Sequence, residues 1–474
     1  MQKFDTKVQY LKYQVLREVA KFAWEDTLAE NVLGIPESIV PGRKPTMRCC
    51  VYKERAILTE RVKIAMGNYK DNDHIMQVID IACDGCPVGG YQVTSGCRGC
   101  LSHQCKEACK FGAISFDENY VSHIDKEKCK ECGMCAKVCP YSAIIHLKRP
   151  CQNACKVKAI DYDENKTCVI NYDKCISCGA CAYQCPFGAI SDRSYILDVV
   201  KVLKEAKADP SKKVYAVIAP SIGTQFTYAT VGKVIAGIKK LGFTDVAEAA
   251  LGADIVAINE SKELLEKGFL TSSCCPGFVK FIENTYPDIV PYISHNPSPM
   301  VAISTVIKES YPGAKIIFIG PCTAKKAEVQ REEVKDIVDY VITFEELQAL
   351  LDSRDIDITA LEEDTLTDAS AFGRGFAKCG GLAVAVKEAL KEMGHEDFDL
   401  KAVSSDGIEE CNLNLIKWSK KVLDVNFIEG MACIGGCVGG AGCMTHSVQS
   451  KVMVDKYSKQ AQSTIADALD NLDV

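Results

Sequence analysis

The sequence predicts an α/β fold for its C-terminal half, preceded by small α+β cysteine-rich modules and by a helical N-terminal segment. Three observations carry that reading. Cysteine is concentrated, with 17 of the 27 falling between Cys83 and Cys185. Short β-branched runs alternate with helical patterns from Lys213 onward. Near the N-terminus, Val8, Leu11, Val15, Val19 and Phe22 recur at helical spacing. The division expected is a helical segment over 1–78, a multi-cluster module over 79–192, a linker helix over 193–212 and an α/β domain over 213–474.

The apolar stripe of the first segment reads as a face packed on the next domain. Cys49 and Cys50 fall in no motif there. The cysteine-rich module cannot build a large aliphatic core, so bound metal must supply much of its stability. After Cys185 the thiols stop. Ile196, Val199, Val200, Val202 and Leu203 suggest a connecting helix. Strand patterns follow at 214–219, 314–319 and 425–429, with helices between them, for example 277–285 and 380–392. A helical tail is expected over 452–472. In such folds ligands gather beyond the carboxyl ends of strands.

Composition limits the function. The chain has 474 residues, 47% of them hydrophobic and 25% charged, with net charge −7. That balance disfavours nucleic acid as a partner. The first ten residues lack an apolar signal-peptide core, and no apolar run is long enough to span a membrane. Many cysteines in C-x-x-C spacing, without an export signal, point to metal ligation in a reducing cytoplasm rather than to disulfides. Thiolate-bound clusters are oxygen-labile, which suits an anaerobic host.

Cys129, Cys132, Cys135 and Cys139-Pro140 form a complete bacterial-ferredoxin run, as do Cys175, Cys178, Cys181 and Cys185-Pro186. Three closely spaced thiolates wrap one 4Fe-4S cubane, and the fourth serves its neighbour. A zinc site is the simpler alternative, but two full runs exceed what it needs. Cys97, Cys100, Cys105 and Cys109 make a looser unit. Cys151 and Cys155 make half of another, and the nearest unclaimed C-x-x-C is Cys83 and Cys86. Similar tails follow each unit, at Ala113-Ile114, Ala143-Ile144, Ala159-Ile160 and Ala189-Ile190, so the module is an internal repeat. It is similar to the four-cluster ferredoxin subunits of larger redox complexes. Four cubanes are expected. Their ligand sets are Cys97, Cys100 and Cys105 with Cys139; Cys129, Cys132 and Cys135 with Cys109; Cys175, Cys178 and Cys181 with Cys155; and Cys83, Cys86 and Cys151 with Cys185. Cys168 stays outside.

Eight cysteines follow residue 213, and five of them lie in three motifs. These read Thr271-Ser272-Ser273-Cys274-Cys275-Pro276-Gly277-Phe278, Gly320-Pro321-Cys322-Thr323-Ala324-Lys325-Lys326-Ala327-Glu328, and Glu429-Gly430-Met431-Ala432-Cys433-Ile434-Gly435-Gly436-Cys437. Together they resemble the three signature loops of the catalytic domain of FeFe hydrogenases. The resemblance covers roughly residues 213–450. It implies two strand–helix lobes around an active-site cluster and reversible formation of H2 from protons and electrons. It assigns Cys275, Cys322, Cys433 and Cys437 to a catalytic cubane. Cys437 would also bridge to a two-iron subsite carrying CO, CN and a dithiolate, inserted by hydrogenase maturation proteins. Lys325 matches the lysine that hydrogen-bonds a cyanide ligand. Ala219, Pro220, Ser221, Ser298, Pro299, Met300, Pro321, Phe376 and Met431 match the subsite walls. Cys274, Glu260, Ser294 and Glu263 match a proton relay. A solvated lysine, helix-surface glutamates and plain core are the alternatives for these residues.

The chain departs from the family at Gly320, where many members carry methionine, and at Phe278, which replaces a usual tryptophan. Met300 replaces a polar residue, and Ala441 interrupts a glycine run. Such changes imply altered bias, rate or inhibitor response. A ferredoxin or similar one-electron carrier is the expected partner, since no glycine-rich dinucleotide fingerprint is present. The rival readings are an H2 sensor, an iron–sulfur assembly factor of hydrogenase-like fold without the two-iron subsite, and an inactive electron-transfer subunit. Cys379, Cys411 and Cys443 receive no role.

Overall fold

The computed structural model describes residues 3–470 apart from 68, 71, 84, 87, 88, 367 and 463. The first helix, Lys7–Trp24, begins in a capping box, with the Thr6 side chain accepting from the Gln9 amide. Val15, Leu16, Val19 and Ala20 turn inward from it. They join one hydrophobic core with helix Val51–Ala65, helix Ile196–Ala208 and helix Phe344–Ser353. The N-terminal stripe therefore packs chiefly on the α/β domain and the connecting helix rather than on the next domain in sequence, the cysteine-rich module.

The cysteine-rich module consists of two similar units placed one constant spacing apart. Cys105, Cys109, Cys129 and Cys139 of the first have counterparts Cys151, Cys155, Cys175 and Cys185 in the second. The hairpin Ile114–Phe116 with Ser122–Ile124 is matched by Ile160–Tyr162 with Cys168–Ile170, in the same register. At the positions matching Cys97 and Cys100, however, the second unit carries Ala143 and His146. It lacks a thiol pair of its own, and Cys83 and Cys86 come from upstream.

The C-terminal domain holds two parallel sheets. The larger runs Asp245–Glu248, Val214–Ile218, Lys315–Gly320, Tyr340–Thr343 in spatial order; the smaller runs Leu270–Thr271, Phe427–Met431, Ala402–Asp406. Each sheet with its helices forms a lobe, the two-lobed α/β architecture expected. The third expected strand lies two residues later than its pattern suggested, at Phe427–Met431. The expected tail helix is two helices, Ser450–Ser458 and Ile465–Asp470, separated by a turn and a short bridge, Ser370 with Gln462. Residue 472 lies outside the described residues.

A buried ion network ties the three segments together. The Lys326 ammonium, wholly buried, lies 2.8 Å from both Asp192 and Glu346. Lys12 lies 2.5 Å from Asp192 and 2.7 Å from Glu345. Burial alone would raise the Asp192 carboxyl, but Lys12 and Lys326 together hold it well below the usual range. A buried pair adds little over an apolar pair, yet removing one partner strands a charge and costs about 3–5 kcal/mol. Lys326→Met should therefore lower the unfolding midpoint by an amount equivalent to about 3–5 kcal/mol. Lys3→Ala, at the exposed Lys3–Asp352 pair, should change it by less than about 1 kcal/mol. Denaturant unfolding of both variants checks the contrast.

Candidate active site

Every signature loop leaves the carboxyl end of a parallel strand. Cys275 caps helix Pro276–Thr285 after strand Leu270–Thr271. Cys322 caps helix Thr323–Glu328 after Lys315–Gly320. Cys433 and Cys437 follow Phe427–Met431 on a loop that reverses through Gly435 and Gly436, with φ of 89° and 88°. A Cβ on Gly436 would lie 2.5 Å from the Cys379 backbone nitrogen, so glycine permits both the turn and the close approach.

The loops enclose a cavity of about 80 Å³ lined by Cys274, Cys275, Cys322 and Cys437 together with Lys325. Its walls include Ala219, Pro220, Pro299, Met300 and Pro321, closed by Phe376 and Met431. Ser221 and Ser298 sit behind the wall, buried, with hydroxyls that have no partner. Phe318 also lines the cavity, and its ring lies 2.6 Å from where a Cβ on Gly320 would stand. That ring fills the space a larger residue at 320 would need. Cys433 opens on a second cavity of about 260 Å³, shared with Cys155 and Cys178.

Four thiols from three loops meet the donor requirement of a 4Fe-4S cubane. The strongest charges acting on Cys433 are Cys322, Cys178, Cys275 and Cys437, which places the four near one another. Burial pushes the Cys322 thiol up to about 11 and Cys437 up to about 12, so ligation must supply the thiolate form. The Ala432 amide donates to Cys275 Sγ at 3.4 Å. Among the described residues no three His, Cys, Asp or Glu converge on a single metal ion. A cubane has no such requirement, because its thiolates bind separate irons. The residues fit the group.

Lys325 and Lys326 are both buried, which removes the reading of a solvated pair. The Lys325 ammonium lies 2.6 Å from Glu328, a partner the sequence reading did not single out although it lies at i+3 in the same motif. Glu260 and Glu263 share one face of helix Ala249–Lys267. Glu260 is wholly buried and accepts from the Ser273 amide and hydroxyl, each at 3.2 Å. Its Oε2 has no partner. Burial raises it to about 7, with the Glu263 charge adding to the rise and the Ser273 hydrogen bonds opposing it. Cys274 lies beside it, buried. The Ser294 hydroxyl donates to Glu263 at 3.1 Å. Glu263 then reaches the surface through Lys267 at 2.6 Å and the exposed His295. Burial would raise Glu263, but Lys267 and the His295 amide hold it below the ordinary carboxylate range. Ser273 and Asn296, whose amide donates to Glu263 at 2.9 Å, were missed by the sequence reading. Neither residue type at those positions signals a role before the loop is folded.

The accessory thiols lie within reach of one another's charge. Cys135 feels Cys129 and Cys109. Cys181 feels Cys178, Cys175 and Cys155, and also Cys151 of the split set. Cys86 feels Cys185, Cys83 and Cys151, so the split set also comes together. Of the remaining proposed set, Cys97 and Cys105 meet at Ser122, whose amide donates to Cys97 Sγ at 3.5 Å and whose hydroxyl lies 3.8 Å from Cys105 Sγ. The set of Cys175 abuts the active-site loops. A Cβ on Gly179 would meet Ala441 at 2.5 Å and Thr323 at 2.7 Å, and the Thr323 hydroxyl donates to the Ser177 carbonyl at 2.7 Å. Cys411 and Cys443 are core thiols that donate to backbone carbonyls. Cys379 flanks the Cys433 loop through its backbone, its amide donating to the Gly435 carbonyl at 3.3 Å. Cys50 caps helix Val51–Ala65, and Cys49 is exposed.

The family model described as iron-only hydrogenase large subunit, C-terminal domain, matches residues 212–441, and that of the 4Fe-4S binding domain matches 122–145 and 168–191. The periplasmic Fe hydrogenase large subunit of Nitratidesulfovibrio vulgaris is 30% identical over 381 residues, 69% of this chain and 87% of that one. Iron hydrogenase 1 of Clostridium pasteurianum is 30% identical over 295 residues, and the chain spans about half its length, 51%. A cytosolic Fe-S cluster assembly factor of Botryotinia fuckeliana is 35% identical over 142 residues, 25% of this chain and 24% of that one. An FeFe-hydrogenase structure from Chlamydomonas reinhardtii aligns with a TM-score of 0.46 at 20% identity, over 58% of this chain and 93% of that one. With its signature cysteines assembled at the ends of two parallel sheets behind 4Fe-4S binding units, this chain belongs to the iron-only, or FeFe, hydrogenase family.

Proposed function

We propose that the protein is a working FeFe hydrogenase that interconverts two protons, two electrons and H2. The observation that carries this reading is the meeting of Cys274, Lys325 and three candidate cubane ligands in one apolar cavity. When bound, the cubane and the two-iron subsite supply the redox centre where protons and electrons combine. Cys437 would hold the two together, and maturation proteins would install the subsite. A ferredoxin or similar one-electron carrier would deliver electrons to the accessory clusters.

The protein's own residues would do four things. Cys275, Cys322, Cys433 and Cys437 bind. Met300, Phe376 and Met431 keep water from the cavity, which strengthens every charge inside it. The Lys325 ammonium, steadied by Glu328, orients an anionic ligand. Cys274, Glu260, Ser294 and Glu263 pass protons inward from the surface at His295 and Lys267. Burial supports this role for Glu260, because an acid near 7 both takes and gives a proton at neutral pH.

The alternative of an iron–sulfur assembly role draws on the shared 142 residues with the fungal factor. Cys274 and Lys325 lining one cavity, with Glu260 buried in the helix behind Ser273, argue for turnover instead. Infrared bands of metal-bound CO and CN in matured protein, with H2 evolution from a reduced one-electron carrier, test the choice. Bands without H2 chemistry would leave a sensor; no bands after maturation would leave the assembly role.

Three measurable outcomes follow. Cys274→Ala should keep iron and the CO and CN bands while activity falls at least about 100-fold. Loss of the cubane, or near-full activity, would sink the relay. Iron should reach about 22 per matured chain, and Cys83→Ser with Cys86→Ser should remove about four of them. Finally, the native state holds the Glu260 proton up to about pH 7 whereas the unfolded chain releases it near 4.5. The stability this adds is full below 4.5 and lost as pH rises through 7. Glu260→Gln should flatten that part of the pH–stability curve, measured by denaturant unfolding.

A further inference from the structure

Three arginines surround the split thiol set, and nothing in the proposed chemistry uses them. Arg149, buried, places Nη1 3.7 Å from Cys83 Sγ, and its guanidinium stacks 4.2 Å over Tyr162. Arg48 lies against Cys83-x-Gly85-Cys86 from the other side: a Cβ on Gly85 would meet its Nη1 at 2.5 Å, and its Nη2 donates to the Ala82 carbonyl at 2.6 Å. Arg61, from helix Val51–Ala65, donates to the Gly188 carbonyl at 2.7 Å, just past Cys185. Gly188 lacks the side chain that would block it. Arg61 is buried and its Nε has no partner. The strongest charges acting on it are Cys185 and Arg48, and no carboxylate is among them. A buried guanidinium without a carboxylate needs a negative charge from elsewhere. A cubane on four thiolates carries one.

The first unit of the module supplies the comparison. Where the second unit has Arg149 stacked on Tyr162, the first has His103 stacked on Phe116 at 4.1 Å. Where Cys168 sends its amide to Cys83 Sγ at 3.3 Å, Ser122 sends its amide to Cys97 Sγ at 3.5 Å. The scaffold and the N–H···S bond are repeated, and a permanent cation has replaced an imidazole. The strongest charges on Cys175, Cys178 and Cys181 of the neighbouring set are other cysteines. Three members of the split set, Cys83, Cys151 and Cys185, are buried, where a neighbouring charge acts most strongly.

We infer that Arg48, Arg61 and Arg149 make the split cubane the most readily reduced station of the accessory chain. One-electron reduction adds one negative charge to the cluster. Cations beside it stabilise that charge and raise the potential, since net charge and hydrogen bonds to sulfur set it. An electron parked there stands next to the Cys175 set, which in turn abuts the active-site loops, ready as one of the two that H2 formation consumes. Two of the three arginines come from the N-terminal helical segment, which assigns that segment a redox role beyond covering the core. These residues are positioning groups and touch no substrate.

The inference rests on the four-cubane reading above, and redox titration of the full chain followed by electron paramagnetic resonance separates the two. Arg149→His and, separately, Arg61→Gln should shift one accessory signal to lower potential. The reduced-to-oxidised ratio at fixed potential should fall about tenfold, or about 59 mV for one electron. The other signals and the iron count should hold, and Arg149→Lys should stay near the parent. Full iron with every potential unmoved in both variants overturns the inference. Should Arg149→His lose its cubane, His103→Arg must raise the potential of the first unit, and an unmoved signal there overturns the inference. A parent chain short by about four irons removes the split cubane itself, and the inference falls with it.

Discussion

Lys326 is the point on which the arrangement turns. It leaves the helix that begins at Cys322, and it meets Asp192 at the end of the iron–sulfur module and Glu346 in the helix under the N-terminal segment. Lys12 completes the square from that segment. In a low-dielectric interior these charges tolerate one geometry, because each displaced group would be left unpaired. The second signature loop is thereby held in register with the module that abuts it. Fixed spacing of this kind is what the proposed electron transfer between clusters would require.

The same economy appears in the repeated unit. A hairpin, a short helical turn and an N–H···S bond to cysteine recur with little change, as at Ala113 to Cys109, Ala159 to Cys155 and Ala189 to Cys185. What varies is the surroundings: exposure and an imidazole in the first unit, burial and guanidinium in the second. Hydrogen bonds and charge around identical ligands are the protein's means of tuning one cofactor differently at each station.

Polarity is also graded across the candidate active site. The cavity is apolar, its one ammonium is paired with Glu328, and the acids that lead outward change character along the way. Glu260, deep and poorly paired, is lifted towards neutrality, whereas Glu263, beside Lys267 and near the surface, is held low. Two glutamates on one helix face thus differ because one lies deep in the core and the other lies further out, beside Lys267.

Much was legible in the sequence. Adjacent thiols at short fixed spacing are local signals, so the ferredoxin runs, the signature loops and the strands that are continuous apolar runs could be read directly. The expectation for Cys83 and Cys86 came from elimination, and only folding brought them to Cys151 and Cys185. The short strands Asp245–Glu248, Tyr340–Thr343 and Ala402–Asp406 were not anticipated, because tertiary pairing rather than local pattern makes them strands. The burial of Lys326, the pairing of Lys325 with Glu328, the contacts of Ser273 and the three arginines were unreadable for the same reason. A charged residue looks solvated until the chain that buries it arrives from far away in sequence. Sequence alone singled out the thiols proposed to bind iron, since ligand chemistry is written in residue type and spacing. Tertiary structure alone decided which charges stand beside them, since burial and pairing are properties of the fold.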